Sequence, residues 1–243
     1  MRINTLWIVI ESLLRQSYRA DKIVLTLSKE QFKDKTSLPK SLLRLQSRGL
    51  EIKLIDGDIR SYKKFFYSMQ RYADDIIITV DDDIIYPRDI LSALIATHRD
   101  NPNSIIATRV RGIKNSDRGE LLPYTQWRDN HLDGESKNYI QIGVGGVLYP
   151  PYSLYKDLLR DDLFLKLAPF GDDLWLFTMA RLNDRSVRRA YFNPHLLGLR
   201  ITKNVNLFHT NRDQNQNDVQ IRSLREYYKS ELGIDPFEYI EED

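Results

Sequence analysis

The stretch Ile76-Ile77-Ile78-Thr79-Val80-Asp81-Asp82-Asp83-Ile84-Ile85-Tyr86-Pro87 decides the reading of this chain. Its first five residues are all β-branched, which is how a strand buried on both faces of a parallel sheet reads. The run stops abruptly at three aspartates. In open α/β sheets ligands bind beyond the carboxyl ends of the strands, so the triplet lies where a site is expected. Three adjacent like charges repel unless something positive sits among them, and a hard divalent cation with oxygen ligands suits that place. Alternate side chains of an extended segment share a face, so Asp81 and Asp83 are expected to point together, with Asp82 turned away or reaching round. A solvated acidic turn after a strand is the competing reading.

Outward from this stretch, helices and strands alternate. Leu6, Ile10, Leu13 and Leu14 recur at helical spacing, so the chain is expected to open with a helix over Ile3–Gln16. Strands are predicted over 22–27, 51–55, 76–80 and 104–109. Helices are predicted over 40–48, ending at Gly49, and over 61–72 and 87–98. That order implies right-handed crossovers and a mixed, mostly parallel sheet flanked by helices. Residues 112–137 are polar and broken by Gly119, Pro123 and Gly134, the composition of a binding segment or lid. An apolar stretch with Gly143, Gly145 and Gly146 follows, then an apolar helix over 174–182 entered through Gly171-Asp172-Asp173, and a charged amphipathic tail over 218–232. The absence of repeats or a linker favours a single domain over 1–243.

Composition narrows the function classes. The 36 basic and 34 acidic residues leave a net charge of +2, too small to argue for a nucleic-acid partner. Zero cysteines exclude disulfides, thiolate zinc sites and cysteine nucleophiles. The sequence has no apolar stretch near the roughly 20 residues a membrane span requires and no signal pattern at its start, so a cytoplasmic protein is expected. Fourteen tyrosines and three tryptophans suit a groove that stacks on flat ligands and equally an ordinary core.

With Ser61-Tyr62-Lys63-Lys64 upstream, Gly145-Gly146-Val147-Leu148-Tyr149-Pro150-Pro151 downstream, then Asp172-Asp173-Leu174-Trp175 and Asn217-Asp218-Val219-Gln220, the acidic stretch resembles bacterial glycosyltransferases of the GT-A fold, family-2-like. The resemblance runs over nearly the whole chain. It implies a nucleotide-sugar-binding half over about 1–110 and an acceptor-binding half over about 111–243. It also implies a nucleotide-sugar donor, UDP-linked by preference, and a saccharide or lipid-linked saccharide acceptor. The setting would be polysaccharide or lipopolysaccharide assembly, cytoplasmic or peripheral at the inner face of the cytoplasmic membrane. Arg181, Arg185, Arg188 and Arg189 would then face anionic headgroups, or be a plain solvated helix end.

The same resemblance assigns roles to residues. Asp81 and Asp83 would hold Mn²⁺ or Mg²⁺, with Asp82 beside the donor and His209 completing the metal sphere. Asp173, or else Asp172, would be the base for the acceptor hydroxyl. An aspartate between glycine and an apolar helix is also what an N-cap looks like, and Asp172 capping while Asp173 acts reconciles the two. Lys63 and Lys64 at a helix start suit the donor diphosphate or nucleotide, or are surface lysines. Gly145, Gly146, Trp127 and Trp175 would line the acceptor side, against a plain strand bulge for the glycines and a core role for Trp175. Such a domain normally opens with a strand whose following loop holds the base; here the sequence starts at the loop or helix after it, so that strand is expected to be missing. Two alternatives stand beside an inverting glycosyltransferase: a catalytically silent binding module, and a metal-dependent nucleotidyltransferase, which would use the same acids without Asp173.

Overall fold

Helical spacing opens the chain as expected: after a 3-10 turn at Arg2–Asn4, helix α1 (Leu6–Leu14) buries Leu6, Val9, Ile10 and Leu13 on one face. The structure is a computed structural model that describes residues 2–127, 132–192, 196–199 and 215–242. Strand β1 (Ile23–Ser28) pairs in parallel with β2 (Leu50–Ile55), Ile23 opposite Leu50 through Ser28 opposite Ile55. Helix α2 (Lys40–Leu43) and a 3-10 turn at Arg44–Arg48 make the crossover, and Gly49 at φ 110° turns the chain into β2.

The predicted helix over 61–72 is divided. Arg60–Lys64 is a 3-10 turn and α3 (Phe66–Arg71) follows it. Side chains three apart lie over one another in a 3-10 turn, and Tyr62 and Phe65, both fully buried, are three apart. Strand β3 then covers only Ile77–Thr79, so the aspartates follow in a turn, and β4 (Ile84–Ile85) and helix α4 (Ile90–Asp100) come next.

The remaining elements are β5 (Ile105–Ala107), β6 (Val110–Gly112), β7 (Glu135–Ser136), β8 (Tyr139–Gln141), β9 (Val147–Tyr149), α5 (Asp161–Leu167), α6 (Asp172–Leu182), β10 (Val187–Arg189), β11 (Leu197–Gly198) and α7 (Gln216–Leu232). A five-stranded sheet has the order β3-β9-β5-β10-β7. Strand β9 runs antiparallel to β3 and β5, β10 parallel to β5, and β7 antiparallel to β10. The fold is thus α/β with a mixed sheet between helices, as expected. Among the described residues β1 and β2 form a separate two-stranded sheet, unbonded to β3.

Two apolar cores hold these layers. One gathers α1, α2, β2 and the start of α4 around Leu42, Leu45 and Ile90. The larger one surrounds α6, with Trp175 and Phe177 against Phe164 of α5, Tyr228 of α7 and Phe237. Helix α4 joins the two halves, because Ile90 and Leu91 belong to the first core while Leu94 and Ile95 lie with Ile106 and Leu148 of the five-stranded sheet.

Both acceptor-side tryptophans belong to this interior. Trp175 is 0% exposed and donates its indole N–H to Leu158 O at 3.1 Å. Trp127 is 4% exposed, donates to Leu122 O at 2.8 Å and lies beside Tyr124 and Phe237. Trp175 offers no face for stacking on a sugar, whereas the small exposed part of Trp127 lies on the wall of the cleft. Trp175→Ala is expected to cost about 3–5 kcal/mol of folding stability, the range for emptying a buried aromatic site, read from denaturant unfolding.

Candidate functional site

The carboxyl ends of β2 and β3 meet at the 3-10 turn between them. Tyr62 anchors that turn: its ring stacks on Phe164 at 3.9 Å and its hydroxyl donates to Ala168 O at 2.5 Å. With Tyr62 held in the core, the next two residues are carried to the sheet edge. Lys63 ion-pairs with Asp58, just past β2. Lys64 ion-pairs with Asp81, just past β3, at 3.2 Å and with Asp172, at the start of α6, at 2.8 Å. Neither is the surface lysine that one reading allowed; the Lys64 side chain is 17% exposed.

Asp173 sits beside this pair. Both its carboxylate oxygens accept the Gly143 N–H, at 3.1 Å, and its backbone carbonyl accepts from Gln141 Nε2 at 3.1 Å. Gly143 lets the chain pass close to this pair, since a Cβ there would lie 2.7 Å from Lys64 Nζ and 2.9 Å from Asp173 Oδ1 and would displace both side-chain ends. The sequence reading chose Gly145 and Gly146 instead. They adopt φ of 100° and 99° and make the tight approach into β9, where a Cβ on Gly145 would collide with Thr108 Oγ1. They do not line the acidic cleft; Gly143 and Val144 do.

The division of labour expected at the helix start is also different. Gly171 is the N-cap of α6 and no side chain caps it, so Asp172 is a first-turn residue whose charge is taken by Lys64. Gln220 of α7 holds the approach, its Oε1 accepting the Phe170 N–H at 2.8 Å. Nearby on the same helix, Asp218 accepts the Tyr124 N–H at 2.8 Å, and the Arg111 guanidinium lies 4.6 Å from the Tyr124 ring centre. The Asn217-Asp218-Val219-Gln220 stretch therefore braces both the helix start and the rim segment around Tyr124.

The aspartate triplet does not alternate as an extended segment would, because the strand has ended and the chain is turning. Arg2 pairs with Asp82 at 2.9 Å and with Asp83 at 3.1 Å, while Asp81 faces Lys64. The Asp81 N–H donates to the Tyr86 hydroxyl at 2.7 Å, which pins the turn. Sequence reasoning missed Gly143, Arg2 and Tyr86. His209 lies outside the described residues. The four arginines proposed for headgroups are engaged by the fold: Arg181 with Lys137 O at 2.8 Å, Arg185 with Asn103 O at 3.4 Å, Arg189 with Leu132 O, and Arg188 over the Tyr191 ring.

Electrostatics follow from this crowding. Burial and the Asp172 charge push the Asp173 carboxyl up to about 7, against the pull of Lys64 and the Gly143 N–H. Burial alone would lower Lys64, but Asp172, Asp81 and Asp173 together hold it well above its ordinary value. Asp83 is raised by burial and by its two acidic neighbours, with Arg2 opposing. Four carboxylates thus pair with Lys64 and Arg2 while Asp173 adds its charge beside them, and an oxygen-rich set with surplus negative charge is the donor chemistry a hard divalent cation takes. Among the described residues no three acidic or histidine side chains converge as a cage, since Asp81 is turned to Lys64 and Asp83 to Arg2.

These acids line a cleft of about 2260 Å³ that runs from Asp172 and Asp173 past Asp81–Asp83 and down between β1 and β3. No helix among the described residues is long and apolar enough to cross a membrane. No protein-family model matches the chain, and no curated protein is similar to it. Among solved structures, one described as the crystal structure of apo UDP-glucose pyrophosphorylase is similar over 94% of this chain and 87% of that one, with a TM-score of 0.41 and 10% identity. A likeness of that size carries no argument about chemistry.

Two outcomes follow for stability. Asp173 titrates near 3.8 when unfolded and about 7 when folded, so its contribution is fully present below pH 3.8 and is lost as pH rises through about 7. Asp173→Asn should flatten that part of the stability profile, which slopes by up to about 1.4 kcal/mol per pH unit. Lys64→Met leaves Asp81 and Asp172 without their cation and should cost about 3–5 kcal/mol, with a larger loss at pH 8 than at pH 5 in denaturant titrations.

Proposed function

We propose that this chain is a metal-dependent glycosyltransferase that moves a sugar from a nucleotide-sugar donor to an acceptor hydroxyl with inversion. The observation that carries the reading is Asp173: a carboxyl raised to about 7 in an open cleft, aimed by Gly143 and linked through Lys64 to the acids after β3. A general base works best when its pKa lies near the working pH. The order of motifs along the chain supports the same reading.

In this reaction Asp173 would take the proton of the acceptor hydroxyl as its oxygen bonds to the anomeric carbon. The bond from that carbon to the diphosphate breaks, and the nucleoside diphosphate leaves. Asp81 and Asp83 would hold Mg²⁺ or Mn²⁺, which supplies charge neutralisation at the departing diphosphate. Lys64 keeps Asp172 and Asp81 in place and restrains the rise of the Asp173 pKa. Arg2 occupies Asp82 and Asp83 and would exchange that contact for donor or cation.

The separation of β1–β2 from the five-stranded sheet favours a second reading, a binding module without turnover. The two readings part on one measurement series. For the enzyme, UDP with Mn²⁺ raises the melting temperature and Asp83→Ala removes the gain. Asp173→Asn then keeps the gain but lowers sugar transfer by roughly 10²–10⁴-fold, the size of a general-base contribution. Transfer by the unaltered chain should rise with pH through about 7 as Asp173 ionises. Unchanged turnover in Asp173→Asn removes the base assignment and favours nucleotidyl transfer. A melting temperature indifferent to UDP, GDP and CMP with Mn²⁺ leaves the silent module.

A further inference from the structure

The cations nearest the aspartate triplet are neutralised by acids. Arg2 pairs with Asp82 and Asp83, Lys63 with Asp58, and Lys64 with Asp81 and Asp172. Two exposed arginines on the cleft wall differ from these: Arg60 and Arg109 pair with no acid among the described residues. Arg19 and Lys22 share that lack, but they precede β1 and so lie at the opposite end of the cleft from Asp173.

Arg109 is placed by the ladder between β6 and β8. Val110 pairs with Gln141, and the Arg109 carbonyl accepts the Ile142 N–H at 3.0 Å, so Arg109 lies opposite Ile142, one residue before Gly143. Val110 is buried in the larger core, and side chains alternate along a strand, so Arg109 and Arg111 leave on the cleft face. Arg111 is engaged by Tyr124, donating to its carbonyl at 3.5 Å and lying over its ring. The Arg109 side chain makes no hydrogen bond or ion pair among the described residues. It emerges beside the segment whose Gly143 N–H holds the Asp173 carboxylate.

Arg60 approaches from the other support of Asp173, the chain that leads into α6. Its guanidinium lies 4.3 Å from the Phe170 ring centre and donates to Pro169 O at 3.3 Å. A ring and a carbonyl fix a guanidinium without cancelling its charge. Arg60 is left-handed, at φ 56°, with its N–H held by Asp58 Oδ1 at 2.8 Å. That conformation is disfavoured for any residue but glycine, and such strain collects where a functional group is aimed. The acids nearby leave room for a further negative group. Lys64 neutralises Asp172, Asp218 accepts the Tyr124 N–H, and Asp173 keeps only part of its charge near pH 7.

We propose that the acceptor side of the cleft takes a saccharide carrying an anionic group, a carboxylate or a phosphate, which Arg109 and Arg60 hold while the attacking hydroxyl lies at Asp173. The inference rests on the glycosyl-transfer reading above and names the class of acceptor for it. The planar donors of a guanidinium match either oxyanion with two parallel hydrogen bonds. Thr125 and Asn217, also on the cleft wall, offer a hydroxyl and an amide to the hydroxyls of the sugar ring.

The test measures affinity by calorimetry on the full chain with UDP and Mg²⁺ present, so that the donor side is filled and no turnover is needed. The probes are methyl glucuronide, methyl glucoside 6-phosphate and the neutral methyl glucoside. The anionic sugars should bind roughly tenfold or more tightly than the neutral one, the scale of a charge-assisted pair, and the tighter of them tells carboxylate from phosphate. Arg109→Gln and Arg60→Gln should each narrow that gap, whereas Arg109→Lys, which keeps the charge, should hold part of it. Equal affinities for the three sugars, or a gap that survives either glutamine substitution, overturn the proposal. Inorganic phosphate binding as tightly as the sugar phosphate marks an anion site indifferent to the sugar and overturns it as well. The glycosyl-transfer reading fails separately: a UDP-sugar left intact beside a bound anionic sugar removes the transfer while the gap in affinity stands.

Discussion

The ammonium of Lys64, held between Asp81 and Asp172, is the contact on which the rest of the site depends. It joins the end of β3 to the first turn of α6, elements separated by about 90 residues of chain. Without a cation at that point the carboxylates of both elements would face one another across a poorly hydrated space, where like charges are costly. The contact exists because Tyr62 is stacked in the interior on Phe164, which leaves the following lysines no direction but the sheet edge. Aromatic burial in one core thus sets the electrostatics of the cleft.

The cleft has two characters along its length. Its mouth is acidic, with cations already engaged, and its pocket walls are made by backbone as much as by side chains, as at Gly143. Its lower part is apolar and bounded by strand edges. The mouth presents charge, whereas the lower part presents mainly strand backbone and alkyl surface. The two parts are continuous, since Thr79 and Val80 line the lower part and lead directly into the turn that carries Asp81–Asp83.

Much of the fold was legible because it rests on local pattern. The opening helix, the strand that ends in acids, the apolar helix after Gly171 and the tail helix all follow from periodicity and turn residues, and each is present near its expected bounds. The acids themselves stand out by composition. What could not be read is set by distance along the chain. Arg2 meets Asp82 across 80 residues, and Lys64 meets Asp172 across more than 100. Alternation assigned Asp81 and Asp83 to one face, but that rule lapses where the strand gives way to a turn. Three glycines near 145 look alike in sequence; only the approach of Asp173 and Lys64 to Gly143 distinguishes it. Trp175 shows the reverse, its core role displacing the acceptor one, since an aromatic residue near a motif is more often interior than exposed.

Helix α7 holds the Tyr124 segment through Asp218 and the Phe170 turn through Gln220, contacts that close loops of 94 and 50 residues. The order in which the molecule acquires its parts follows from this. Contacts near in sequence, such as Lys63 with Asp58, can form while most of the chain is still unstructured, but loop closures of that length come late because their entropy must be met before they are rewarded. Docking of α7 therefore finishes the rim of the cleft and the approach to Asp172 together. Until then the chain has its acids but no enclosed place in which to use them.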